Sequence, residues 1–260
     1  DLLQAALHRI RDSLHDAEER AARSGKLASI GQMAAGVAHE INNPLGSIAG
    51  FIQIILMDLP SANPHREYLD AMQKEVGRMK RIVDDLLDFA RQRPEDSRAF
   101  LPVDINLLVE ETLRLSEPQA RVKRVRILSD LDPAAPVVQG NADRLKQTIF
   151  NICLNAFAAM DKDDNVLRVS TRQCENDRGR WLDITISDNG AGIRQEHLSK
   201  IFDPFFTTRE QGKGTGLGLS TSYSIVQQHG GEILVDSAWG EGTSFTIRLP
   251  LPAEHSSPTA

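Results

Sequence analysis

Apolar residues recur through the first third of the chain in alternating steps of four and three. Leu3, Leu7, Ile10, Leu14, Ala17 and Ala21 trace a heptad seam. The seam slips at "RSGK" and resumes as Leu27, Ile30, Ala34, Val37, Ile41, Leu45, Ile48, Ile52 and Ile55. This pattern predicts one long helix over residues 2–59. A phase shift of this kind alters supercoiling locally, and Gly25 lies within it. A packing imperfection and a junction that passes rotation downstream fit it equally. "LPSANP" (59–64) then breaks the helix with two prolines. A second helix is predicted over about 64–93, from Tyr68, Met72, Val76, Met79, Val83, Leu86 and Ala90. Two long helices joined by a short turn form an antiparallel hairpin. A lone hairpin leaves part of its seam uncovered, so two copies are expected to pair as a four-helix bundle. A homodimer follows from packing alone.

Beyond the polar stretch "RQRPEDSRAFLPVD" the period changes. Helical patterns at about 104–118, 141–160 and 217–229 alternate with strand-like "RVRILSDL", "NVLRVSTRQC", "RWLDITISD", "GGEILVDSA" and "GTSFTIRLP". The predicted fold is therefore an α hairpin forming a dimeric four-helix bundle, followed by an α/β sandwich, a mixed sheet with helices on one face. The expected division is a coiled-coil signal-transmitting helix (1–26), a helical hairpin (27–93), a linker (94–103), an α/β domain (104–250) and a disordered tail (251–260).

Composition narrows the function classes. The 260 residues carry a formal net charge of −6, which disfavours non-specific binding to nucleic acid or an anionic membrane. Runs such as "FIQIILM" are too short to span a bilayer, so this segment is expected to make no membrane contact. Cys153 and Cys174 lack metal-like spacing and read as reduced thiols. That fits a cytoplasmic location, compatible with inner-membrane anchoring of a longer parent protein. A first residue of Asp rather than Met points to such a parent, with an upstream sensor region.

Four stretches of the second half carry candidate chemistry. "NICLNA" puts Asn151 and Asn155 one turn apart on a helix face, where buried amides need a polar ligand, a metal or caps. "DNGAGI" ends an apolar strand with Asp188, followed by Gly190 and Gly192 where the backbone turns or is closely approached. "FDPFFTT" places two apolar anchors, Phe205 and Phe206, before the hydroxyls of Thr207 and Thr208. "GKGTGLGLS" opens a helix with Lys213, Gly214, Gly216, Leu217 and Gly218, so backbone amides and a helix N-terminus can face phosphates. Neither the P-loop pattern nor G-x-G-x-x-G is present.

In order and spacing these stretches closely resemble the N, G1, F and G2 boxes of the ATPase fold shared by histidine kinases, Hsp90-like chaperones, MutL and type II topoisomerases. The resemblance implies that Asp188 accepts the adenine amino group, Asn155 ligates Mg²⁺ on ATP, and Asn151 helps hold phosphate or metal. It further implies that Gly190, Gly192, Gly214, Gly216 and Gly218 line the pocket and its lid. Lys213 would neutralise phosphate charge, and the Thr243 hydroxyl in "GEGTSF" would support Asp188. The lid would lie between Asp203 and Gly214.

"GVAHEINNPLGSI" (36–48) decides among the members of that fold. His39 lies two residues from the seam positions Val37 and Ile41, about 200° around the helix, and so faces solvent. Glu40 can orient the imidazole or take its proton, leaving the other nitrogen nucleophilic. Asn43 lies one turn on, and Pro44 removes the hydrogen bond to the Glu40 carbonyl, which predicts a kink there. H-E-x-x-H metalloprotease chemistry fails because position 43 is Asn. The whole stretch "ASIGQMAAGVAHEINNPLGSIAGF" resembles the H-box of two-component sensor histidine kinases, and "HEINNPL" is especially similar to nitrogen-regulatory and C4-dicarboxylate sensor kinases. That resemblance implies autophosphorylation of His39 from Mg–ATP and transfer to an aspartate of a response-regulator receiver domain. It also implies hydrolysis of the receiver's acyl phosphate, with Asn43 positioning the water. The other histidines, His8, His15, His65, His197, His229 and His255, read as surface or cap residues. A silent scaffold, an ATPase that releases phosphate to water, and a phosphatase-dominated regulator remain the rival readings.

Overall fold

The computed structural model describes residues 40–60, 63–90, 100–176, 179–209 and 214–251. The chain divides into two compact units, Asp1–Asp96 and Ser97–Ala260. The expectations for residues 1–39, including the coiled-coil seam, Gly25 and His39, lie outside the described residues. So do Lys213, the 252–260 tail, most of the linker, and the side chains of Leu86 and Ala90.

In the first unit, helix α1 occupies residues 40–58 and helix α2 spans Arg66–Ala90. The predicted seam divides between two faces. Leu45 and Ile52, one heptad apart, are buried, and Leu45 packs with Val83, Val76 and Leu87 of α2. The alternate seam positions Ile41, Ile48 and Ile55 are exposed, as are Met72 and Met79 on α2. The turn is fixed by polar contacts. Arg66 donates to the carbonyls of Leu56 (3.2 Å) and Leu59 (3.0 Å), satisfying acceptors that the end of α1 leaves open. Asn63 Oδ1 accepts the His65 amide at 2.9 Å at the start of α2. α1 runs through Pro44 without a break in its helical residues.

The second unit is built on a five-stranded mixed sheet. Its elements are β1 (Leu101–Val103), α3 (Ile105–Val122), β2 (Arg126–Leu131), β3 (Val138–Gly140), α4 (Ala142–Ala159), β4 (Val166–Asn176), β5 (Gly179–Asp188), α5 (Gln195–Leu198), α6 (Gly218–Gln228), β6 (Glu232–Ala238) and β7 (Gly242–Pro250). The sheet order is β2-β4-β5-β7-β6, with β2 and β4 parallel and all other neighbours antiparallel. Period-two alternation buries Leu167 and Val169 of β4, Leu182, Ile184 and Ile186 of β5, and Phe245, Ile247 and Leu249 of β7. Against that face pack Val109 and Leu113 of α3, Ile149, Ile152 and Phe157 of α4, and Val226 of α6. The opposite face carries hydroxyl pairs, Thr185 with Thr246 (3.1 Å) and Ser187 with Ser244 (2.7 Å).

Several expectations need correction. The linker reading of 94–103 fails at its end, because Leu101–Val103 pairs antiparallel with β3 in a separate two-stranded sheet. Both strands have three residues, too few to show a period. α3 continues to Val122, beyond the predicted end at 118, with Pro118 inside it. Buried Ala120 anchors that extra turn against the core and offsets the hydrogen bond that proline cannot make. Cys153 is a buried free thiol whose pKa burial pushes up to about 12, and Cys174 is also free. Both match the reduced-thiol reading.

Candidate functional site

The site grows from helix α4. Asn141 caps its start by accepting the Arg144 amide at 3.2 Å. Asn151, Asn155 and Ala159 follow at intervals of four, so they share a face. From Asn151 to Ala159 the helix rises about 12 Å, a span of the order of an extended nucleoside triphosphate.

At the Ala159 end lies the carboxylate of Asp188. It terminates β5 opposite Thr243 of β7. One carboxylate oxygen accepts the Gly190 amide at 2.8 Å. Burial pushes its pKa up, while backbone donors at Gly190 and Thr243 and the nearby Lys162 charge pull it down. The result is a partly buried acceptor whose anionic form lacks full solvation, ready for a donor from a ligand. The Thr243 hydroxyl is otherwise engaged, 2.9 Å from Ser237 Oγ. Thr243 meets Asp188 through its backbone N–H.

Backbone crowding makes the cradle around Asp188. A Cβ on Gly190 would lie 2.7 Å from the Ala159 carbonyl oxygen and 2.8 Å from Asp188 Oδ1. Gly192 has φ +71°, and a Cβ there would meet the Ala238 carbonyl oxygen at 2.1 Å, so no other residue fits. The Ala191 amide donates to Ala159 O (2.9 Å) and the Gly240 amide to Ala191 O (2.7 Å). Lys162 Nζ binds the carbonyls of Asn189 (2.7 Å) and Gly240 (3.3 Å). Three loops are thereby tied around one carboxylate. Lys162 was not singled out in the sequence, since a lysine in an acidic loop gives no signal of its target.

At the other end, Asn151 Nδ2 donates to the Gly218 carbonyl at 3.3 Å, joining α4 to the start of α6. Asn155 Oδ1 accepts a guanidinium N–H of Arg209 at 2.7 Å. Gly216 has φ +69°, and a Cβ would press to 2.4 Å on the backbone of Phe205. Gly218 and Gly214 are less constrained; a Cβ on Gly218 would make only ordinary contact with Asn151, and on Gly214 would sit 3.1 Å from Thr207 Oγ1. Leu217 is fully buried in the core, so only its backbone can face a ligand. Thr207 and Thr208 are exposed, and Thr207 Oγ1 accepts the Arg209 amide at 3.2 Å.

Phe205 is not an apolar anchor. It is 52% exposed with φ +66°, a left-handed conformation that costs about 1–2 kcal/mol. Its amide bonds Gly216 O at 3.1 Å, which holds the glycine-rich segment. Phe206 packs on the core beside Phe202, and Phe202 lies 5.2 Å from Tyr223. His229 fits the cap reading and not the surface one. It caps α6, but it is buried, with Nδ1 2.7 Å from Ile225 O and Nε2 accepting the Asn141 amide at 2.9 Å.

In the first unit, Glu40, Asn43 and Pro44 are exposed while Leu45 is buried, so the polar residues around position 39 lie off the packed face. Asn42, by contrast, holds a buried Oδ1. The exposed polar side and the buried apolar one are the division that helix periodicity predicts.

The donor set suits a Mg–nucleotide. Asp188 offers an anionic acceptor in a cradle that a single Cβ would fill, and Asn155 directs a neutral oxygen that already attracts a cation. Asn155 by itself is one neutral ligand, and the oxygens of a bound triphosphate would complete the shell of a hard cation there.

Comparisons with known proteins agree with this geometry. Residues 29–95 match the His Kinase A (phospho-acceptor) domain, and residues 140–253 match the histidine kinase-, DNA gyrase B- and HSP90-like ATPase family. The chain is 38% identical over 237 residues to the signal transduction histidine-protein kinase AtoS of Escherichia coli (strain K12), covering 91% of this chain and 37% of that protein. It spans about half the length, or less, of the curated relatives it matches. Full-length ShkA in complex with AMPPNP superposes with a TM-score of 0.70 at 25% identity, covering 84% of this chain and 45% of that one. Histidine kinase ThkA in complex with the response regulator protein TrrA superposes with a TM-score of 0.61 at 27% identity, covering 92% and 66%. A phospho-acceptor hairpin followed by this ATPase fold places the chain in the family of sensor histidine kinases.

Proposed function

We propose that this chain phosphorylates its own His39 from Mg–ATP, passes the phosphoryl group to an aspartate of a response-regulator receiver domain, and also dephosphorylates that receiver. The observation that carries the reading is the Asp188 carboxylate, partly buried in a cradle that one Cβ at Gly190 or Gly192 would fill. An adenine amino group is the donor such an acceptor suits. The nucleotide in the ShkA complex and the regulator in the ThkA complex support the two ends of the reaction.

Asp188 would hold adenine, Asn155 the metal, and Asn151, Gly216 and Gly218 the phosphate end at the start of α6. Lys213 and Thr208 belong to the same segment by sequence position. Mg²⁺, when bound, supplies charge neutralisation on the triphosphate. An imidazole nitrogen of His39 attacks the γ-phosphorus; the N–P bond forms as the bond to the ADP oxygen breaks. Glu40 takes or orients the proton on the other nitrogen, and its exposure leaves it free to do so. Asn43, one turn on, carries an amide suited to orient a water and unable to act as a base.

The homodimer belongs to the same reading. Ile41, Ile48 and Ile55 with Met72 and Met79 form an apolar face that a second copy of the hairpin covers. The division into hairpin (27–93), linker and α/β domain follows, with the strand at 101–103 moved into the latter. No described helix is long and apolar enough to cross a membrane; the proposed site of action is the cytoplasm. The test is incubation with γ-labelled ATP. Label retained on the protein, acid-labile and alkali-stable, supports the reading; label released only as phosphate favours a hydrolytic ATPase.

A further inference from the structure

The amide oxygen assigned above to Mg²⁺ is already engaged. Arg209 donates to Asn155 Oδ1 at 2.7 Å, across 54 residues of chain. The guanidinium is half-buried, and burial disfavours its charged form. Arg209 is held from behind as well. Its own amide donates to Thr207 Oγ1 (3.2 Å), and a Cβ on Gly214 would come within 3.3 Å of its Cδ. The α4 face there offers two amides, Asn151 and Asn155, and no charge, and among the described residues Arg209 is the one that brings a cation onto it.

A guanidinium and a magnesium ion make the same demand on a carbonyl oxygen: each is a cation that a lone pair must face. The Asn155 oxygen has two lone pairs, but two cations held on it would lie a few ångströms apart and repel, so one displaces the other. We propose that Arg209 is a latch on Asn155, so that loading of Mg–nucleotide proceeds by ligand exchange: the Arg209–Asn155 hydrogen bond breaks, and Asn155 Oδ1 passes to the metal. This inference rests on the reading of Asn155 as a metal ligand. Arg209 thus sets affinity for the metal-bound nucleotide without touching adenine. Any charge-assisted hydrogen bond lost on loading weakens apparent affinity, on the scale of roughly tenfold.

The exchange predicts a gain of binding on mutation, the opposite of what a simple phosphate-binding arginine predicts. Arg209→Met keeps the packed stem and removes the guanidinium; Arg209→Lys keeps the charge but loses the fork. Calorimetry on the full 260-residue chain compares AMP-PNP with Mg²⁺ against adenosine alone. Arg209→Met tightens Mg–AMP-PNP by several-fold, up to about tenfold, Arg209→Lys falls between, and adenosine affinity does not move. Mg–AMP-PNP affinity that is unchanged or weaker in Arg209→Met overturns the latch. Equal shifts for adenosine and Mg–AMP-PNP also overturn it, because they reveal a general change of shape. If the unsubstituted chain fails to bind Mg–AMP-PNP at all, the nucleotide reading falls and takes the latch with it.

Discussion

His229 Nε2 accepts the backbone N–H of Asn141 at 2.9 Å, joining the last turn of α6 to the first of α4. Nδ1 lies 2.7 Å from Ile225 O, so it carries the proton and the imidazole is neutral. Phe100 stacks on the ring at 4.6 Å, and Gly140 leaves room for it, since a Cβ there would lie 2.8 Å from the imidazole. These two helices carry Asn151 and Gly218, so this contact supports, from behind, the end of the site proposed to take phosphate.

Burial lowers the His229 pKa below its ordinary 6.5. The folded state therefore binds fewer protons than the unfolded state just below that value, and the contribution to stability is present above 6.5 and lost as pH falls toward the depressed folded value. We expect Tm of the second unit to drop as pH falls below 6.5, and His229→Gln to flatten that drop. His229→Ala should cost about 2 kcal/mol at pH 7.5. Thermal melts at several pH values check both; a pH-independent Tm in the unsubstituted protein would contradict the assignment.

Asp188→Asn separates function from stability. The raised pKa means that the folded state opposes ionisation of this carboxylate, so stability from this group falls as pH rises from its unfolded pKa through the folded one. Asparagine removes that cost and can still accept from Gly190. ATP affinity should fall about 10²-fold, while Tm at pH 7.5 stays level or rises. Calorimetry and melting together decide it, and a variant that loses binding only because it unfolds would contradict the argument.

The proposed dimer would rest on the exposed half of the seam. Ile48 is 45% exposed and Phe51 64% exposed on α1. Ile48→Glu with Ile55→Glu should convert a dimer to monomer, with the ATP-binding unit still folded. Light scattering of the double variant gives the answer; a persisting dimer would move the interface away from the hairpin.

Much of this fold was legible because its periods are strong. The five strands of the sheet carry alternating apolar residues, and α4 and α6 are bounded by Asn141 and by the glycines around 216–218. What escaped the sequence lacked a local signal. β1 and β3 are too short for a period, and α3 passes Pro118 because tertiary packing at Ala120 outweighs the local break. In the site, Asp188, Gly190 and Gly192 were legible, since a carboxylate and two glycines after an apolar strand force one backbone arrangement. Lys162 and Arg209 were not, because their partners lie 27 and 54 residues away. Phe205 was misread for a related reason: its φ of +66° accompanies a backbone hydrogen bond to Gly216, eleven residues on, which phenylalanine itself does not signal.

Asn43 splits the two proposed activities. Its exposed amide can orient a water but cannot activate an imidazole. Asn43→Ala should leave His39 labelling within a few-fold of normal and slow receiver dephosphorylation by about 10²-fold. Paired rates with a purified receiver test this. Equal losses would reduce Asn43 to a structural role beside Pro44.

The central claim is that the Asp188 site feeds a phosphoryl group to His39, and the most direct test locates that group. The purified chain is incubated with Mg–ATP, digested under alkaline conditions that preserve phosphoramidates, and sequenced by tandem mass spectrometry. The account predicts one phosphoryl group on the peptide containing His39, absent from His39→Ala and much reduced in Asp188→Asn at ATP levels that saturate the unsubstituted chain. Phosphorylation at another residue, or an unmodified His39 peptide in a protein that consumes ATP, would contradict it.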